Sequence, residues 1–252
     1  MWWHGYIPQC SGSEAVTMLA WDTNTLPPIS VHLAVSQYLN SPYRLIYNEC
    51  NLLEQCHTDP VVAADYLLDN IVPQVQQVGL GERLIVGGAT GDVCGRDWMS
   101  EFARHINYRG RPVEIIGWHW HIYPGLKTID WRTGLPCLVA PSFQEQSSAI
   151  YDWWLQYGQT NDELWLSEFG LLNEQDSDVV ARWLEDSLLY LDTQGLFWTR
   201  YYLWTDYDPT RPSIFDSEYN LTVIGQIYQA HQPIAPIQPT IYHTLLPIIK
   251  SR

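Results

Sequence analysis

The chain has 252 residues, 46% hydrophobic and 16% charged, which fits one large packed domain and excludes a disordered polymer. Its formal net charge is -15, from 28 acidic against 13 basic side chains. That field repels phosphate backbones and anionic lipid, so nucleic acids and membrane surfaces are excluded as partners and a neutral ligand is not.

In chain order, Trp2–Ile7 is the first candidate strand. The abrupt start on Trp2-Trp3 leads us to expect that a leader, or even an earlier strand, precedes it. No secretory apolar region begins at Met1, and no apolar run is long enough to span a bilayer. Val16–Asp22 is the next strand, and Ile29–Leu39 a weak helix. Tyr43–Glu49 is a strand followed by a helical stretch over Val61–Gly79, which Pro73 should break or kink. Arg83–Gly88 is a strand, Trp98–Ile106 a weak helix, and Val113–His121 a strand again. Ser147 and Ser148 start a helix carrying Ile150, Tyr151, Trp154 and Leu155, with Gly158 as its stop. Glu163–Glu168 is a strand. Asp176–Asp192 carries a helical stripe of Val179, Val180, Trp183, Leu184, Leu188 and Leu191, stopped by Gly195. Thr199–Asp206 is the last strand.

Near-continuous apolar strands are buried on both faces, as in a parallel sheet. Those starting at residues 43, 83, 113, 163 and 199 leave room for one crossover helix each. The expected fold class is α/β, a single (β/α)8-type TIM barrel of the usual size of about 250 residues. Seven strands rather than eight are recognisable, so a shortened or incomplete N-terminal part is expected. Residues 1–230 form the barrel domain. Pro233, Pro236, Pro239 and Pro247 argue against continued regular structure, so 231–252 is a Pro-containing C-terminal extension.

Thirteen Trp and 16 Tyr stand against 5 Phe. A core needs ring volume without N–H or O–H groups, whereas a flat, wet surface such as a sugar-binding cleft needs both. About half of the Trp residues are expected to pack between helices and barrel instead.

In a parallel barrel the active site lies at the C-terminal strand ends. There the runs finish in Asn48-Glu49, in His119 and His121 with Tyr123, in Ser167-Glu168, and in Trp204 with Asp206. A carboxylate closing a buried strand is costly unless solvated, paired or used. Glycoside hydrolysis uses two such groups, one protonated and one ionised. Glu49 and Glu168 are therefore the catalytic candidates.

Tyr47-Asn48-Glu49-Cys50-Asn51 resembles the Asn-Glu-Pro-Asn segment ending the fourth strand of clan A glycoside hydrolases. Leu164–Gly170 is similar to that clan's seventh strand, His121-Ile122-Tyr123-Pro124 to its sixth-strand His-x-Tyr, and Trp204 falls at its eighth-strand aromatic. The short barrel and Met18-Leu19-Ala20-Trp21 most resemble glycoside hydrolase family 128, whose members cleave β-1,3-glucans. The resemblance implies a retaining endo-β-1,3-glucanase with Glu49 as acid/base and Glu168 as nucleophile. It implies that Asn48 binds the sugar 2-hydroxyl, that His121 and Tyr123 orient and polarise the nucleophile, and that Trp204 floors the sugar ring. No metal or organic cofactor is implied; the partner is an oligo- or polysaccharide, bound by a monomer. Cys50 stands where the clan carries proline, and the basic residue often found early in the clan has no clear counterpart. Rival readings are another β-glycan (xylan, mannan, β-1,4-glucan) or a sugar-binding barrel without turnover.

His119 and His121 share one strand face. Two such His could bind a metal, but no third ligand has suitable spacing, and a hydrogen-bonding role is favoured. His119 fits substrate binding and a satisfied core position equally. Trp118 and Trp120, on the opposite face, should pack against helices. Trp131, in a long loop at the catalytic end, is a candidate sugar platform, and Asp206 either binds hydroxyls or solvates its loop. The five Cys form no zinc pattern. A Cys50–Cys56 or a Cys94–Cys137 disulfide would fit an extracellular, secreted enzyme, though chance also explains their common barrel end. Asn220-Leu221-Thr222 is a glycosylation sequon, meaningful in a eukaryotic secretory setting.

Overall fold

Six strands lie side by side, all parallel and in chain order: Thr17–Ala20 (β1), Tyr43–Ile46 (β2), Arg83–Thr90 (β3), Ile115–Ile122 (β4), Glu163–Phe169 (β5) and Arg200–Leu203 (β6). The structure, a computed structural model, describes residues 16–20, 42–79, 81–138, 142–203, 212–218 and 220–231. Six of the seven expected strands are present; the seventh, Trp2–Ile7, lies outside the described residues, as do the Ile29–Leu39 helix and residues 232–252.

Helices return the chain between strands. They are Pro60–Tyr66 (α1), Val72–Val78 (α2), Val93–Arg109 (α3), Phe143–Tyr157 (α4), Ser177–Thr193 (α5) and Val223–Ala230 (α6). Asp59, Asp92, Ser142, Asp176 and Thr222 cap the N-termini of α1, α3, α4, α5 and α6 by accepting backbone N–H groups. Helix α4 begins five residues before Ser148, because Ser142 bonds the Glu145 N–H and Phe143 already packs on Phe169. The kink expected at Pro73 is a π-helical turn, Leu67–Ile71, between α1 and α2. Proline lacks an N–H to give to the preceding turn, and wider bonding absorbs the mismatch.

The sheet curls. Strands β2 and β5 are three places apart, which in a flat sheet is roughly 14 Å. Yet the Tyr43 and Trp165 ring centroids are 5.0 Å apart. The Arg200 guanidinium carbon lies 4.4 Å from the Tyr43 ring and 4.7 Å from that of Trp165. These groups, with buried Ile85, fill the inside of the curl at its N-terminal end. The larger core lies outside it, between strands and helices. There Trp118 and Trp120 meet Trp153 edge-on at 5.4 and 4.9 Å, packing against helices as the strand pattern predicts. Among the described residues the curled sheet stops at six strands, so a closed eight-stranded barrel is not reached. No described helix is long and apolar enough to cross a membrane.

Candidate active site

The C-terminal strand ends bring together Glu49, His121, Tyr123 and Glu168. Two irregularities in the sheet aim the glutamates. Between β4 and β5 the register skips, Trp120 pairing with Leu166 and His121 with Glu168. The extra residue, Ser167, turns with Glu168 into the curl while Phe169 stays in the outer core. Beyond β2, Tyr47 and Glu49 adopt φ of 73° and 49°. Left-handed geometry is costly for non-glycine residues, on the order of 1–3 kcal/mol each, and persists where the surroundings impose it. Here the Tyr47 hydroxyl donates to the Ala63 carbonyl at 2.7 Å and the Glu49 N–H to the Gly88 carbonyl at 2.7 Å. Gly88 itself has φ +64°, and a Cβ there would meet the His119 ring at 2.5 Å and the Tyr47 carbonyl oxygen at 2.7 Å.

His121 Nδ1 lies 2.9 Å from Glu49 Oε1 and 3.5 Å from Glu168 Oε2. The Tyr123 hydroxyl donates a short hydrogen bond to Glu168 Oε2. Glu49 is 7% exposed and the Glu168 side chain 21%, so both carboxyls are largely dry yet reachable. Burial by itself would lower the His121 pKa. The charge of Glu168, then the hydrogen bond and charge of Glu49, overcome it and raise the value. Burial raises the Glu168 pKa, with the Glu49 charge adding and the His121 charge and Tyr123 hydrogen bond opposing. The Tyr123 hydroxyl is pushed well above its usual range by burial and by the charges of Glu168 and Glu49, so it remains a donor.

His119 is fully buried, with Nδ1 2.7 Å from Ser167 Oγ and Nε2 3.0 Å from the Ile46 carbonyl. Burial and the neighbouring His121 charge depress its pKa to about 3. It is a neutral imidazole, Nε2–H donating to Ile46, that ties β2 and β5 together beneath the glutamates. Of the two readings open for His119, this geometry favours the satisfied core position over sugar binding: the side chain is fully buried and both nitrogens are committed. It also removes the two-histidine metal site. Ligand atoms of Glu49, His121 and Glu168 do lie within 4.8 Å of one another, but they are already bonded among themselves and with Tyr123. A second cluster, Asp92 with Cys94 and Cys137, offers no thiolate because those cysteines form a disulfide.

Asn48 is buried beside Glu49. Trp131 lies on the loop after β4, where Arg132 stacks over its ring at 4.6 Å and reaches Glu101 at 2.8 Å. It borders an open groove of about 660 Å³ with His57, Asp59 and Glu101, which none of the four central residues lines. Trp204 and Asp206 lie outside the described residues. Sequence reasoning passed over a supporting network. Asn51 donates to Thr90 Oγ1 at 2.7 Å, Thr90 to Asp92 at 2.6 Å, and Thr128 to Asp92 at 3.0 Å, linking three strand-end loops. The signal was Asn51 itself, two places after Glu49. Both disulfides left open by the sequence form, Cys50–Cys56 and Cys94–Cys137.

A family model described as glycosyl hydrolase catalytic core matches residues 1–228. No curated protein matches the chain. Among solved structures the chain is similar to a curdlan-specific exo-β-1,3-glucanase of glycoside hydrolase family 128, subgroup III, from Blastomyces gilchristii, in complex with glucose. The TM-score is 0.64 at 18% identity, over 88% of this chain and 84% of that one. It is similar to a subgroup I endo-β-1,3-glucanase from Amycolatopsis mediterranei in complex with laminaripentaose, with TM-score 0.61, 20% identity and coverage of 88% and 84%. A subgroup VII oligosaccharide-binding protein from Trichoderma gamsii also shares the fold, with TM-score 0.55, 18% identity and coverage of 88% and 80%. At these identities the likeness is one of fold.

Proposed function

The chain belongs to the glycosyl hydrolase catalytic core family, and from that premise we propose that it is an endo-acting β-1,3-glucanase working by double displacement with net retention. The observation that carries the reading is the convergence of Glu49 and Glu168, from β2 and β5, on one face of His121. Carboxylate oxygens of the two residues lie within 4.8 Å of each other, a close pairing that supports the retaining arrangement. Inverting enzymes separate the two carboxyls by ~6.5–9.5 Å, retaining ones by ~5–5.5 Å.

Glu168 attacks the anomeric carbon while Glu49 gives its proton to the departing oxygen. Glu49 then takes a proton from water, which displaces Glu168 and returns both groups to their starting states. The raised Glu168 pKa favours a proton on the nucleophile, against this role. The Tyr123 donor and the adjacent imidazolium oppose that tendency and support the carboxylate. His121 in its charged form also offsets the carboxylate of Glu168 while Glu49 carries its proton. Asn48 serves the sugar 2-hydroxyl, Trp131 a distal sugar, and Trp204 and Asp206 the ring at the cleavage point. Two disulfides support an oxidising, extracellular compartment. Sequential parallel strands and their curl support a (β/α)8 barrel.

The test is reducing-end release from a panel of β-glucans by the parent chain and by Glu168→Gln. Release by the parent on β-1,3-glucan, at least ~10³-fold above the variant, is expected. The oligosaccharide-binding protein of the same fold gives a second reading, binding without turnover. Equal binding of laminari-oligosaccharides by both proteins, with release by neither, would establish that reading instead.

A further inference from the structure

Tyr47 and Glu49, two residues apart, both sit in the left-handed region, and the loop that follows has no regular structure until α1. Asn51 to Gln55 form a string of turns, with Leu53 half exposed. Asn51 at its start is buried and bonded to Thr90, whereas Leu53 and Glu54 are exposed, so the middle of the loop has little packing of its own to hold its shape. What closes it is the bond between Cys50, next to Glu49 and fully buried, and Cys56, six residues on. The bridge brings the loop back so that the Leu52 N–H donates to the Glu49 carbonyl at 2.8 Å and the Thr58 N–H to the Cys50 carbonyl at 3.2 Å. Glu168 is held differently, by sheet pairing with His121 and by Tyr123, on the far side of the site.

We propose that the Cys50–Cys56 disulfide is a positioning element for Glu49, needed for proton transfer to the glycosidic oxygen and from the incoming water but not for attack by Glu168. The inference rests on the acid/base role given to Glu49 above. Opening the bridge takes two electrons and two protons, supplied by an external dithiol that itself becomes a disulfide, and yields two thiols. The turn then relaxes toward ordinary backbone and the Glu49 carboxyl leaves the line of the departing oxygen. Cys94–Cys137 joins the first turn of α3 to the loop after β4 and adjoins neither glutamate, so it serves as the control.

The role separates cleanly by leaving group. A β-1,3-glucan departs as an alkoxide and needs a proton, whereas a 2,4-dinitrophenyl β-glucoside departs unaided. In the Cys50→Ser, Cys56→Ser double variant, turnover of β-1,3-glucan should fall on the order of 10²-fold. The pre-steady-state burst of dinitrophenolate should keep its rate, and added azide should restore steady turnover as glycosyl azide. The Cys94→Ser, Cys137→Ser variant should leave the ratio of the two substrates at the parent value. If the double variant does not fold, mild dithiol reduction of the folded Cys94→Ser, Cys137→Ser variant, which keeps only the Cys50–Cys56 bridge, reads the same ratio, and reoxidation restores it. An equal loss in polysaccharide turnover and in the rate of the dinitrophenolate burst, or undiminished polysaccharide turnover with the bridge open, would overturn the inference while leaving the hydrolase reading intact. A parent silent on both substrates removes that reading and this inference with it.

Discussion

Tyr123 holds a proton that neither glutamate can remove, and gives it to Glu168 as a hydrogen bond. That bond favours the ionised carboxylate, so losing it leaves burial less opposed and Glu168 keeps its proton to higher pH. Tyr123→Phe should therefore move the acidic limb of the kcat/KM profile upward. It should also lower kcat/KM roughly 10- to 100-fold, as expected for loss of a hydrogen bond to a charge. An unmoved acidic limb would detach Tyr123 from the ionisation of Glu168. The identity of both glutamates was legible because each ends an apolar run, where a carboxylate needs a reason. Their aim was not. Strict alternation puts Ser167 and Glu168 on opposite faces, and the register skip that reunites them leaves no mark in composition. His119 shows the converse: its place on the lumen side was readable, but only the partners at Ser167 and Ile46 reveal a neutral brace.

The elements were easier to read than their irregularities. Apolar runs and glycine stops located β2 to β6 and the ends of α4 and α5, because burial on two faces and chain reversal have direct chemical signatures. Helix α3 extends five residues ahead of Trp98, since Asp92 caps a first turn that carries no apolar stripe. Strand β3 hides its own bulge, where pairing jumps from Gly87 to Ala89 and Gly88 approaches β4. Gly88→Ala tests that element. The new methyl meets a ring carbon and, at 2.7 Å, the backbone oxygen of Tyr47, which cannot retreat without moving Glu49. A loss of about 2–4 kcal/mol in chemical denaturation is expected, together with loss of turnover. A change below about 0.5 kcal/mol would mean that the bulge is not packed as described.

For the whole molecule, curling rather than strand count is what makes a site, because it lets β2 bond to β4 and β5 across the lumen. The buried brace also sets how the protein meets acid. His119 titrates near 3 when folded and near 6.5 when unfolded, so the unfolded chain takes up the proton first as pH falls. Its contribution to stability is complete above about 6.5 and is lost progressively toward 3, on the order of 5 kcal/mol in all. His119→Gln can still bridge Ile46 and Ser167 but does not titrate. Urea midpoints at pH 7 and 4.5 should therefore separate more for the parent than for the variant, and equal separations would refute the linkage. Finally, Tyr43, Ile85 and Trp165, with Arg200 wedged between two of the rings, stopper the lumen at the end opposite the glutamates. Among the described residues the lumen is thus filled from below, and a hydrolase of this build would admit both sugar and water from the loop side.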